Sequence, residues 1–245
     1  MARLVLGTDK SVRIPAIVKE VPTPMPLSIQ KVKDANGKVV NGSTIIDLDG
    51  ATDVGDYALY YAYANNTNIT GAVDLSNLTT VSGSYGCGYM FQYCTGITGA
   101  VDLSSLTTVS GMNGCSSVFQ GCTGITSVDL SGLTTITASS GCGCMFGDCT
   151  NLTSVDLSSL ATIDNMYGCS QMFKGTSLTS LSFPALTSTS FGSRTNQFNN
   201  MLQGVTGCTV HFPSNLQSVI GSWNDVTNGF GGTNTTVLFD LAATN

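Results

Sequence analysis

From residue 73 the apolar positions recur in a fixed frame. "VDLSNLTTVSGSYGCGYMFQYCTGITGA" begins at Val73, and "VDLSSLTTVSGMNGCSSVFQGCTGITS" at Val101. "VDLSGLTTITASSGCGCMFGDCTNLTS" follows at Val128, and "VDLSSLATIDNMYGCSQMFKGTSLTS" at Val155, so successive starts lie 28, 27 and 27 residues apart. A degenerate copy begins at Ile46 ("IDLDGATDVG") and another at Leu181 ("LSFPALTS"). Beyond them "VHFPSNLQSVIGSWNDV" reads as a last strand with a closing cap. That makes about six coils.

Within a coil, "VDL" alternates apolar, polar, apolar, the period-2 signature of a short half-buried strand. It places Val101 and Leu103 inward and Asp102 outward. Leu106 and Val109 carry the rhythm on. Cys115, Val118, Phe119 and Cys122 then stand at i, i+3, i+4 and i+7, which predicts one face of a two-turn helix. No coil of this size buries its apolar set alone, so coils must stack into a common core. The expectation is an α/β chain: a short leucine-rich-repeat solenoid of parallel strands and short helices. It divides into an N-terminal arm with a Pro-rich connector (1–27), a β-hairpin-like cap (28–45), repeats (46–209) and a C-terminal cap (210–245).

Composition narrows the function classes. Only 10% of the 245 residues are charged, and net charge is −6. Nucleic-acid binding asks for a basic face, so it is not expected. No apolar run is long enough to span a membrane, and the N-terminus does not read as a secretory signal. The charges are also segregated. Residues 1–44 hold seven bases and three acids, net +4, whereas the rest holds Lys174 and Arg194 against twelve Asp, net −10. Pro22, Pro24 and Pro26 stiffen the connector between the two. This predicts a basic attachment arm, with Arg3, Lys10, Arg13 and Lys19 as its contacts, joined to an acidic body.

Candidate chemistry is sparse. Asp47, Asp74, Asp102, Asp129 and Asp156 fall at one position of successive strands, followed by Ser182 and His211. Like charges opposite one another on neighbouring strands are destabilising. The column therefore reads as a docking strip for a basic or sugar-like partner, a cation site, or a solvated sheet face whose Asp residues bond nearby Ser and Thr. The last is the simplest. Seven cysteines form two columns: Cys87, Cys115, Cys142, Cys169 and Cys94, Cys122, Cys149. Buried reduced ladders are the leading reading, with disulfides and a metal as alternatives, and Cys144 and Cys208 are the candidates for exposed thiols. No catalytic triad, phosphate loop or paired Glu assembles. Neither catalysis nor a metal or other cofactor is expected.

"MFQYCTGITGAVDLSSLTT" and "MFGDCTNLTSVDLSSL" resemble BspA-type leucine-rich repeats, and the related "MF..C..L..LDLS" repeats of mycoplasma-type surface lipoproteins, over residues 45–213. That resemblance implies adhesion and protein binding, and no catalysis. The segment "LVLGTDKSVRIPAIVKE" is similar to the N-terminal attachment segments of phage virion fibre and head-decoration proteins. It implies a virion surface location and a capsid or other virion protein as the partner of the arm. A host surface glycan or protein would be the partner of the body, and fibre precedent implies a homotrimer. A bacterial BspA-like surface adhesin is the alternative.

Overall fold

A strand of two residues has no stability of its own, so a chain built from such strands must borrow it from repetition. The computed structural model describes residues 44–45, 53–187 and 196–244. It shows a parallel β-solenoid of about seven turns. One five-stranded parallel sheet runs in the order β1 (Thr44–Ile45), β3 (Gly71–Asp74), β5 (Ile97–Asp102), β7 (Gly124–Asp129), β9 (Ser154–Asp156). A second runs β2 (Asp53–Val54), β4 (Thr80–Val81), β6 (Thr108–Val109), β8 (Thr135–Ile136), β10 (Thr162–Ile163). A third holds β11 (Ser180–Ser182), β12 (Thr209–Pro213) and β13 (Thr236–Leu241). Instead of one continuous sheet, each repeat thus contributes two strands, and β9 is not hydrogen-bonded to β11. The chain makes one turn more than the repeat count suggested, because β13 adds a coil to the expected cap.

The register places like on like. Val73, Val101, Val128 and Val155 stand side by side, as do Val81, Val109, Ile136 and Ile163. One contiguous buried core runs from Val54 to Phe230. Coils approach closely at Gly111, whose N–H donates to Val81 O at 3.1 Å. A Cβ there would lie 1.9 Å from Gly83 O, so only glycine fits this backbone path.

The expected helices are not there. In residues 113–122 the alternate N–H groups of Asn113, Cys115, Ser117, Phe119 and Gly121 donate to Ser139, Gly141, Gly143, Met145 and Gly147 of the next coil, at 2.8–3.1 Å. Gly114, Ser116, Gln120 and Cys122 instead close turns onto the carbonyls three residues back. Every fourth residue is left-handed: φ is 53° at Asn113, 55° at Ser117 and 74° at Gly121. The segment is a ribbon of successive tight turns, bonded coil to coil like a strand. Its four-residue rhythm matches an i, i+3, i+4, i+7 apolar pattern as well as a helix does. An isolated helix of eight residues rich in Gly and Ser would be marginal, while the ribbon satisfies its backbone along the whole stack. Among the described residues the α-helices are α1 (Gln217–Ile220) and α2 (Asn224–Thr227), in the loop between β12 and β13.

The arm residues and most of the hairpin-like cap lie outside the described residues. Within it, Thr44–Ile45 pairs parallel with β3.

Candidate functional site

Three faces carry the chemistry singled out above. On the first sheet Asp74, Asp102, Asp129 and Asp156 are register neighbours, as the sequence implied. Each serves its own coil. Its Oδ1 accepts the backbone N–H two residues on, from Ser76, Ser104, Ser131 and Ser158, at 2.8–2.9 Å. This Asx turn ends the strand and starts the corner that follows it. Fold geometry therefore accounts for an aspartate at every coil, and the simplest reading of the column is the one the hydrogen bonds support. Ala100, Ser127 and Ser154 lie beside them. An open groove of about 470 Å³ runs across Asp102, Asp129 and Asp156 towards Ser182 and Pro184.

The column is shorter than expected. Ile45, not Asp47, is the register partner of Asp74, and Asp47 lies outside the described residues, as do Arg3, Lys10, Arg13 and Lys19. β9 and β11 share no ladder, so Ser182 and His211, register partners in the third sheet, are not strand-pairing neighbours of Asp156. His211 belongs to the far sheet and pairs with Asp240, its Nδ1 lying 3.0 Å from both carboxylate oxygens. That tie between β12 and β13 escaped the sequence reading, since Asp240 sits outside the repeat frame. No group of three His, Cys, Asp or Glu side chains placed to hold a metal occurs among the described residues.

The cysteine ladders line the inside of the turn ribbon. All nine thiols are free, and every one is buried except the half-buried Cys144. Cys208 is buried too, because it precedes β12 and faces the core instead of leading into an exposed cap. The second ladder has a backbone role. Cys94 Sγ donates to Tyr63 O at 3.0 Å, Cys122 Sγ to Phe91 O at 3.1 Å and Cys149 Sγ to Phe119 O at 3.1 Å. Each thiol thus tacks its coil to the one before. In the fourth copy Thr176 takes the place of the cysteine, buried, with its hydroxyl on Phe173 O at 2.8 Å. Burial pushes the thiols up, to about 11 at Cys94 and Cys208 and about 12 at Cys149 and Cys169. Such thiols stay protonated and unreactive at neutral pH. Reductant is therefore expected to leave the melting temperature unchanged, and a shift of more than a few degrees in thermal melts with and without dithiothreitol would refute free-thiol ladders.

The outer side of the turn ribbon holds a feature that the repeat frame hid. Tyr57, Tyr60, Tyr61, Tyr85, Tyr89 and Tyr93 gather on its first two coils. Tyr57 stacks on Tyr85 at 5.4 Å and Tyr61 on Tyr89 at 4.6 Å, while Tyr60 meets four of these rings edge-on. Tyr61 and Tyr93 are 41% and 46% exposed. The signal was a tyrosine at every fourth residue, the turn rhythm itself. Burial and neighbouring hydroxyls push the Tyr60 and Tyr61 phenols up, so both are neutral donors and acceptors at physiological pH.

No protein-family model matches the chain, and none of the curated proteins or solved structures does.

Proposed function

We propose that this chain is a non-enzymatic virion surface protein: a head fibre, capsid-decoration or receptor-binding protein of a phage. It attaches by its N-terminal arm and presents the solenoid for adhesion to a host surface. The repeats are read as BspA-like leucine-rich repeats, and a homotrimer is the proposed assembly. The observation that carries the reading is the charge split. Seven of nine bases precede residue 39, ahead of or just beyond a run of prolines, whereas the solenoid is acidic. An acidic body is repelled by acidic surfaces, and a basic arm is steered towards them. The solenoid supports the presenting role. It is a stack with extended faces, and its cysteines and its column of aspartates are explained by packing and turn geometry.

The experiment is a mass-spectrometric inventory of purified phage particles. The expected result is this chain at a copy number comparable to other minor structural proteins. Its absence from particles, with recovery from the bacterial envelope instead, would favour the bacterial surface adhesin.

A further inference from the structure

We propose that the tyrosine terrace on the outer face of the turn ribbon, and not the aspartate face, is the adhesive site, and that it binds an uncharged glycan. This deepens the host-adhesion reading by naming the face and the ligand class.

Three observations carry it. The first is conformational. Tyr57, Tyr61, Tyr85, Tyr89 and Tyr93 all sit at φ between 53° and 58°. Bulky residues seldom occupy that region, because Cβ crowds the following carbonyl oxygen there. In the next coil the positions of Tyr85, Tyr89 and Tyr93 are filled by Asn113, Ser117 and Gly121, which suit it better. Further along the ribbon these positions hold Ser140, Cys144, Asp148, Tyr167 and Gln171, so the fold accepts tyrosine there without requiring it. Five tyrosines gathered at such positions on two adjacent coils mark function more than stability.

The second is the seating of the rings. Tyr93 lies over Gly121, where a Cβ would come within 2.3 Å of its ring, and Tyr60 lies over Gly88, where a Cβ would come within 3.3 Å. Each ring rests on a neighbouring coil that has been kept bare for it. Together the six tyrosines make a rigid aromatic platform that loses little entropy on binding.

The third is charge. Gln92 Nε2 donates to Gln120 Oε1 at 2.9 Å beside the platform, and Asn113 and Ser117 continue it. Asp56, the carboxylate nearest in the chain, is already taken by Ser84 N–H at 2.7 Å. In the column of Tyr93 the next charge is Asp148, two coils on. Among the described residues such a surface offers ring faces and neutral donors and acceptors, with the hydrogen-bonded Asp56 at its edge. A sugar, with apolar C–H faces rimmed by hydroxyls, matches that offer. Protein-binding hot spots join Tyr with Trp and Arg; no Arg is among the described residues, and Trp223 lies in the loop between β12 and β13. The other large exposed apolar side chains among the described residues are Met112, at the border of the platform, and Leu238 on β13.

The test uses the full chain in affinity electrophoresis through gels containing dextran, mannan, galactan or laminarin, with heparin and alginate gels as charged probes. Two variants import the residues that the third coil carries in the same columns, Ser117 and Gly121: Tyr93→Gly alone, and the triple variant Tyr61→Ser, Tyr89→Ser, Tyr93→Gly. The expected result is retardation by at least one neutral polysaccharide. Affinity should fall at least about tenfold in the triple variant and measurably in Tyr93→Gly, which removes the most exposed ring and keeps the fold by circular dichroism. Retardation by no neutral polysaccharide, retardation by charged probes only, or equal retardation of wild type and Tyr93→Gly would each overturn the proposal. Particle association is a separate readout. Loss of glycan binding in a chain still found on virions, or the reverse, tells which of the two readings has failed.

Discussion

Phe119→Ala is expected to destabilise the solenoid by roughly 3–5 kcal/mol, the usual range for emptying a buried aromatic site. Phe119 is fully buried midway along a column of rings. Tyr63, Phe91, Phe119, Phe146 and Phe173 stack face to face with centroids 5.1, 5.3, 5.5 and 6.1 Å apart and planes within 13°. Truncation empties space on both sides, against Phe91 and Phe146. The neighbouring coils cannot close it, because Cys115, Phe119 and Gly121 N–H groups are locked to the next coil. In a stack that depends on nearest-neighbour contacts, weakening a middle coil also weakens its two interfaces. Chemical denaturation followed by circular dichroism measures the effect, and a loss under about 1 kcal/mol would mean the stacked column contributes little.

Much of this architecture is written in the sequence. Val73, Val101, Val128 and Val155 head the copies of one frame, and their near-equal spacing already dictates side-by-side strands and an in-register aspartate column. The connection between strands was harder. Cys115, Val118, Phe119 and Cys122 fit a helix by spacing, and hydrophobic periodicity alone does not separate a 3.6-residue rise from a four-residue turn rhythm. The discriminating signal was on the polar side. Asn113, Ser117 and Gly121, then Ser140, Cys144 and Asp148, recur at every fourth residue where the chain turns left-handed, and Gly and Ser are poor helix formers. The same rhythm, filled with tyrosine in the first two coils, is the terrace. Asp47 went astray for a different reason. The degenerate first copy fits the frame two residues late, since Thr44 and not Ile46 stands opposite Val73. Pairing across coils fixes register there, and the local pattern does not. His211–Asp240 joins two strands through a loop that follows no repeat, so nothing in the frame foretold it.

The second large effect concerns the arm, since attachment and presentation are proposed to belong to different parts of one chain. The described solenoid has its own continuous core, from Val54 onward, and its hydrogen bonds run from coil to coil. A stack of this kind keeps its cooperativity when a segment outside the core is removed. The arm carries Arg3, Lys10, Arg13 and Lys19 with apolar stretches around Leu4–Leu6 and Ile14–Val21, a composition suited to adding a strand to a partner's sheet edge above an acidic rim. The direct measurement is deletion of residues 1–21, followed by thermal melting of the purified chain and by co-sedimentation with particles that lack it. The expected result is a cooperative melt close to that of the full chain and a complete loss of co-sedimentation. A truncated chain that still sediments with particles, or one that no longer folds, would contradict it.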